Sequence, residues 1–121
     1  MLSKRQIDSK LLRVEGAPPL VVADLHSPDA NANTPTIAFY AHYDGQPVDV
    51  SQWSTPPWQP VIKGDRIYAR SASDDKAPIM AMLSALDAML ANRTFPSVNL
   101  KFVFEGEEEA GSPHLGSYFE Q

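Results

Sequence analysis

Ser73-Asp74-Asp75-Lys76-Ala77-Pro78 stands directly upstream of the clearest helical pattern in the chain. Ile79, Met82, Leu83, Leu86 and Leu90 follow at spacings of three and four, which predicts an amphipathic helix over about Ala77 to Ala91, with Pro78 suited to its first turn. The apolar stripe must dock on something rigid, so the acidic pair is held at a fixed point of the fold. Two adjacent carboxylates repel unless a cation or hydrogen-bond donors offset them. One of the two acids is explained by helix capping and the macrodipole; a consecutive pair is explained less well.

The elements around that helix predict an α/β fold. Leu20 to Leu25 reads as a strand after the Pro18-Pro19 breaker, and Ser27 to Pro35 as a turn-rich loop. Thr36 to Ala41 is a nearly continuous apolar run, expected to be a strand buried on both faces that delivers His42 at its carboxyl end. Pro47 to Pro60 is a proline-rich loop carrying Trp53 and Trp58, and Lys63-Gly64-Asp65 a turn before a short strand through Ile67 and Tyr68. Val98 to Phe104 is a further buried strand, and Ser112-Pro113 resembles the cap and first residue of a last helix running toward Gln121. Met1 to Leu12, polar and basic, reads as a frayed tail or the remnant of a helix. Strand, helix, strand with acids at strand ends is the usual arrangement of a site in an open, mostly parallel sheet flanked by helices in three layers.

Length and composition narrow the function classes. A chain of 121 residues with 43% hydrophobic residues is one globular domain at most. The net charge of −5 argues against a nucleic-acid partner. There is no cysteine, so thiolate metal sites, disulfides and cysteine nucleophiles are excluded. No stretch reaches the roughly 18 apolar residues of a membrane span, so no membrane partner is expected. Met1 to Leu20 lacks the apolar core of a signal peptide, and the cytoplasm is the expected location.

Besides the acidic pair, two clusters carry chemistry. In His42-Tyr43-Asp44 the two functional side chains share one face of an extended segment, and a carboxylate beside an imidazole orients it as a metal ligand. Taken alone, the same residues fit a surface loop at a strand end. Glu105-Gly106-Glu107-Glu108-Glu109-Ala110-Gly111-Ser112 emerges from an apolar strand, with glycines that permit a tight backbone path. Adjacent glutamates there could divide the labour, one binding metal and the other taking a proton from water. His26 and His114 read as ordinary surface residues.

Together and in this order the clusters resemble the dinuclear zinc peptidases of the aminoacylase and carboxypeptidase G type, and most of all their carnosinase-like dipeptidase branch. The matching runs are Ala41 to Pro47, Ala69 to Lys76 and Glu105 to Ser112, with Trp53 and Pro56-Pro57-Trp58-Gln59-Pro60 similar to that branch's tryptophan-proline loop. The resemblance implies two divalent ions, Zn2+ first, with Mn2+ or Co2+ also suited to oxygen and imidazole ligands. It implies that His42 binds one ion, Asp74 bridges both and Glu109 binds the second. Glu108 would be the general base, with Asp44 behind His42 and a cis peptide bond between Asp74 and Asp75. The implied activity is hydrolysis of a peptide bond in a dipeptide or small peptide. Alternatives are deacylation of N-acyl amino acids and a non-catalytic metal-binding module.

The resemblance also implies that residues 1–121 are part of a catalytic domain, lacking a smaller domain that aids dimerisation and a further acidic and histidine ligand downstream. Alone, such a segment is expected to be inactive. Ala69-Arg70-Ser71 replaces the family's Gly-Arg-Gly, and Ala77 stands where glycine is usual. A side chain at any of these positions that needs positive φ would be strained.

Overall fold

The computed structural model describes residues 1–5 and 7–120. In chain order the strands and helices are β1 (Asp8–Leu12), β2 (Leu20–Leu25), β3 (Thr36–His42), β4 (Val61–Lys63), β5 (Arg66–Tyr68), α1 (Lys76–Ala91), β6 (Asn99–Glu105) and α2 (Leu115–Phe119). Four strands form one sheet in the order β1-β2-β6-β3, and β4 with β5 forms a separate hairpin turning at Gly64, whose φ is 62°. The α/β class is as expected from the sequence, but the pairing is mixed. β3 and β6 are parallel, whereas β1 with β2 and β2 with β6 are antiparallel. The connections dictate this. A parallel pair needs a long crossover, which α1 supplies between β3 and β6, while β1 reaches β2 through a short segment containing Gly16 and Pro18-Pro19.

Helix α1 begins one residue before the expected start and lies on one face of the sheet. Leu83 and Leu86 are buried against Ala23, Ala41, Leu100, Phe102 and Phe104, with Ile79 and Met82 packed at the margin. Phe102 lies at the centre, stacked on Phe39 at 5.6 Å and tilted against Phe104 at 6.0 Å. Burying one such side chain contributes about 1.5–3 kcal/mol. Leu90, read as the end of the stripe, is exposed. The opposite sheet face, with Val22, Tyr40, Lys101 and Val103, ranges from half-buried to exposed among the described residues.

Three further expectations are corrected. The amino-terminal residues are no frayed tail: Leu2 and Ile7 enter the core, Arg5 pairs with Asp87 on α1, and β1 joins the sheet. β3 is not buried on both faces. It is an edge of the sheet among the described residues, and Ile37 and Tyr40 are about half exposed. Ser112 does not cap the last helix. Its φ is 53°, a left-handed value, and α2 starts three residues later behind His114; Gln121 lies outside the described residues. No helix is long and apolar enough to cross a membrane among the described residues.

Candidate metal centre

Because β3 and β6 are parallel neighbours, their carboxyl ends coincide. His42 stands opposite Glu105 in the register, and the Tyr43 amide donates to the Glu105 carbonyl at 2.7 Å. The amino end of α1 packs at the same place, so the three acidic clusters converge on one end of the sheet, where open α/β folds bind ligands. The Asp74–Asp75 peptide bond is cis.

His42 is the centre of the cluster and only 6% exposed. Its Nδ1 lies 3.1 Å from Asp44 Oδ1, and its Nε2 lies 3.1 Å from Asp74 Oδ1 and 3.6 Å from Glu108 Oε2. A proton on Nδ1 donated to Asp44 leaves the Nε2 lone pair facing Asp74 and Glu108, the tautomer a metal needs. Burial works against a charge on the ring, but the carboxylates of Asp74, Asp44 and Glu108 outweigh it and hold the pKa above its ordinary value. A divalent cation would meet the same carboxylates in place of that proton. His42, Asp74 and Asp75 offer ligand atoms that all lie within 4.8 Å of one another. This imidazole-and-oxygen set fits zinc, manganese or cobalt.

Asp75 does not cap α1. Its side chain makes no cap hydrogen bond and instead accepts the His42 amide at 3.2 Å, tying the helix start to the end of β3. Lys76 completes the junction by donating to the Tyr43 carbonyl at 2.6 Å. The capping explanation of the acidic pair therefore fails for Asp75. Asp74 is left exposed, with one carboxylate oxygen against the His42 ring.

The glutamate run leaves β6 as a tight turn. Gly106 lies so close to the Tyr43 ring that a Cβ would overlap it, and Gly111 closes the 3-10 turn Glu108–Ala110 at a φ of 86°. The neighbouring glutamates point to different partners. Glu107 meets His114 Nδ1 at 3.0 Å, Glu108 approaches His42, and the Glu109 carboxylate accepts from Gln46 Nε2 at 2.8 Å. The Glu109 amide donates to Asp44 Oδ2 at 3.1 Å. Asp44 is thus shared between the His42 ring and the turn that carries Glu108 and Glu109.

Residues outside the expected set complete the site. Glu105 is 2% exposed; its Oε2 accepts the Tyr40 hydroxyl at 2.5 Å, and its Oε1 has no partner among the described residues. The Tyr40 phenol is pushed well above its ordinary pKa, first by burial and then by the bond to Glu105 and the charges of Glu105 and Glu108, with the Ser112 side chain opposing. It therefore remains a donor. Tyr40 precedes His42 by two positions on the same strand face, the one signal in the sequence that could have marked it. Gln46 lies in the matching run Ala41 to Pro47, with no role assigned to it there.

The substituted glycines differ in consequence. Ser71 has φ 61°, so a side chain does sit in the left-handed region there; its hydroxyl donates to the Asp44 carbonyl at 2.9 Å, facing Gly45, where a Cβ would overlap it. Ala77 lies within α1 and Ala69 has no positive φ, so neither is strained in this way. The tryptophan-proline loop is anchored beside them: the Arg70 guanidinium lies 5.3 Å from the Trp53 ring centroid, and the Arg70 amide donates to the Pro57 carbonyl.

This arrangement can be set beside known proteins. Human Beta-Ala-His dipeptidase is 37% identical over 105 residues, covering 86% of this chain and 20% of the relative. The succinyl-diaminopimelate desuccinylase of Acidovorax ebreus is 38% identical over 87 residues, covering 71% of this chain and 22% of the relative. Among solved structures, human carnosine dipeptidase 1 superposes with a TM-score of 0.81 at 32% identity, over 96% of this chain and 26% of that one. The M20 family metallo-carboxypeptidase Sso-CP2 from Sulfolobus solfataricus gives 0.81 at 40% identity, over 95% and 25%. The chain thus spans about a fifth of the length of these curated relatives. The profile of peptidase family M20/M25/M40 matches residues 38–119, a stretch that starts in β3 just before His42 and takes in all three acidic clusters, and the chain belongs to that family.

Proposed function

We propose that this chain is the amino-terminal part of a catalytic domain that hydrolyses the peptide bond of a dipeptide or small peptide with the help of two divalent metal ions, zinc first. The observation that carries this reading is the His42 ring, held by Asp44 at one nitrogen and directed at Asp74 and Glu108 with the other. The dipeptidase relatives support the substrate class.

His42 would hold one ion, Asp74 would bridge the two, and Glu109 would hold the second. When bound, such ions lower the pKa of water and polarise the carbonyl of the bond to be cleaved. Glu108 is the general base: it takes the proton of the attacking water as the C–O bond forms and returns it to the leaving amine as the amide C–N bond breaks. Its half-exposed carboxylate near His42 can exchange protons with both. Asp44 keeps the His42 proton on Nδ1, leaving Nε2 for metal. The small-peptide substrate is the only partner required, although a homodimer is in keeping with the resemblance.

The test is zinc-dependent turnover of a dipeptide with a free carboxylate by the protein carrying this segment at the length of its relatives. Loss of turnover in Glu108→Ala with zinc still bound is the expected result; an unchanged rate sinks the assignment. The desuccinylase relative favours a second reading, removal of an acyl group from an amino acid. Comparing rates on a dipeptide and on an N-succinyl amino acid separates the two.

A further inference from the structure

Glu105 and Tyr40 have no part in the chemistry above, yet they hold the least expected contact near it. Among the described residues, a carboxylate that is 98% removed from solvent has one hydrogen bond, from a tyrosine that is half exposed, and its second oxygen has none. Leaving a buried polar atom without a partner is costly, which makes the one bond that Glu105 does keep the contact to explain. It joins two points of the site. Tyr40 is two residues before His42 on β3, and Glu105 is the last residue of β6, three before Glu108. At the far end of the turn the Ser112 amide donates to the Glu107 carbonyl.

We propose that the Tyr40–Glu105 hydrogen bond is a brace that sets the turn from Glu107 to Ser112 against His42, making Tyr40 a positioning residue for Glu108 and Glu109. Its catalytic meaning rests on the reading of that turn given above, but the brace itself acts without metal. Glu105 is fixed along the chain by the β6 ladder and across it by Tyr40, so the residue from which the turn departs is held on two sides. Without the hydroxyl, neither carboxylate oxygen has a partner, and Glu105 would turn toward water and take the start of the turn with it.

Hydrogen–deuterium exchange of the metal-free chain tests this. In Tyr40→Phe the amides of Glu109, Ala110, Gly111 and Ser112, which donate within or onto the turn, are expected to exchange about tenfold faster or more, while the β2–β6 ladder amides keep their rates. Glu105→Gln, which keeps an acceptor for Tyr40, is expected to leave the turn protected. Turn amides that keep their rates in Tyr40→Phe, or speed up only in step with the ladder, overturn the brace, as does a turn equally loosened by Glu105→Gln. Repeating the wild-type measurement with added zinc probes the metal reading separately. Zinc protection of the same amides supports that reading, and its absence counts against it without altering the comparison of variants.

Discussion

One oxygen of the Asp44 carboxylate accepts the backbone amide of Glu109, a residue 65 positions further along the chain, while the other holds the His42 ring. The first and third clusters are therefore joined through one side chain, and the second joins them through the Asp75 bond to the His42 amide.

Asp44→Asn is expected to weaken zinc binding about 10- to 100-fold, the usual effect of removing a partner that orients a metal-binding histidine. The amide keeps the size of the side chain, so circular dichroism should remain that of the folded chain. Competition against a chromophoric chelator measures the affinity. Equal affinity for wild type and variant would show that Asp44 does not orient His42 for metal.

Ser71 sets a backbone penalty against a hydrogen bond. A non-glycine residue in the left-handed region costs about 1–2 kcal/mol, and a hydrogen bond contributes about 1 kcal/mol. Ser71→Ala keeps the φ of 61° and loses the bond to Asp44, so it should destabilise by about 1 kcal/mol. Ser71→Gly loses the bond and the penalty together and should be close to neutral. Urea midpoints of the two variants would refute this balance if Ser71→Gly proved the less stable.

The sequence revealed the middle of the sheet better than its edges. β2 and β6 are apolar runs whose burial follows from their own residues. β1 is not, since Asp8, Ser9 and Lys10 are exposed and its place depends on Leu2 and Ile7 before it and on β2 beside it. The apolar run of β3 could not show that β3 is an edge, because neighbouring strands are set by the rest of the chain. In the site, residue type and order marked the three acidic clusters, and the family resemblance picked out His42, Asp44, Asp74, Glu108 and Glu109 within them. Capping could account for either acid of the Asp74–Asp75 pair because the nearest orphan amides are those of α1, whereas the amide that Asp75 binds belongs to His42. Tyr40 was hidden for a similar reason: a tyrosine in an apolar strand reads as core until its hydroxyl is seen to meet a buried acid.

The raised pKa of His42 gives the metal-free chain a definite pH dependence. The folded state holds the ring proton more tightly than the unfolded chain, whose value is near 6.5. That contribution is fully present below this value and is lost as pH rises through the higher folded value. Metal-free wild type should therefore lose stability relative to His42→Gln between about pH 6 and pH 8. Zinc affinity should move the other way and increase with pH, because metal and proton compete for Nε2. Urea midpoints of both proteins at the two pH values are the measurement; a wild-type advantage that grows with pH contradicts it.

Helix α1 ties stability to the site, since its amino end begins beside Asp74 and Asp75 and its middle is buried. Leu83 is 1% exposed within the core, whereas Leu90 is 38% exposed near the far end. Leu83→Ala leaves a cavity under the helix and should cost about 2–5 kcal/mol, a large part of the roughly 5–15 kcal/mol available to a domain. Leu90→Ala should cost less than about 1 kcal/mol, as exposed positions do. The damage from Leu83→Ala should also reach the metal centre. A helix that packs less firmly no longer fixes Asp75 against the His42 amide, so zinc affinity should fall even under conditions where the variant remains folded. Leu90→Ala should leave that affinity unchanged. Urea denaturation gives the first comparison and chelator competition on the folded proteins the second. Similar losses from the two substitutions would mean that α1 is held by something other than the buried face of its middle turns.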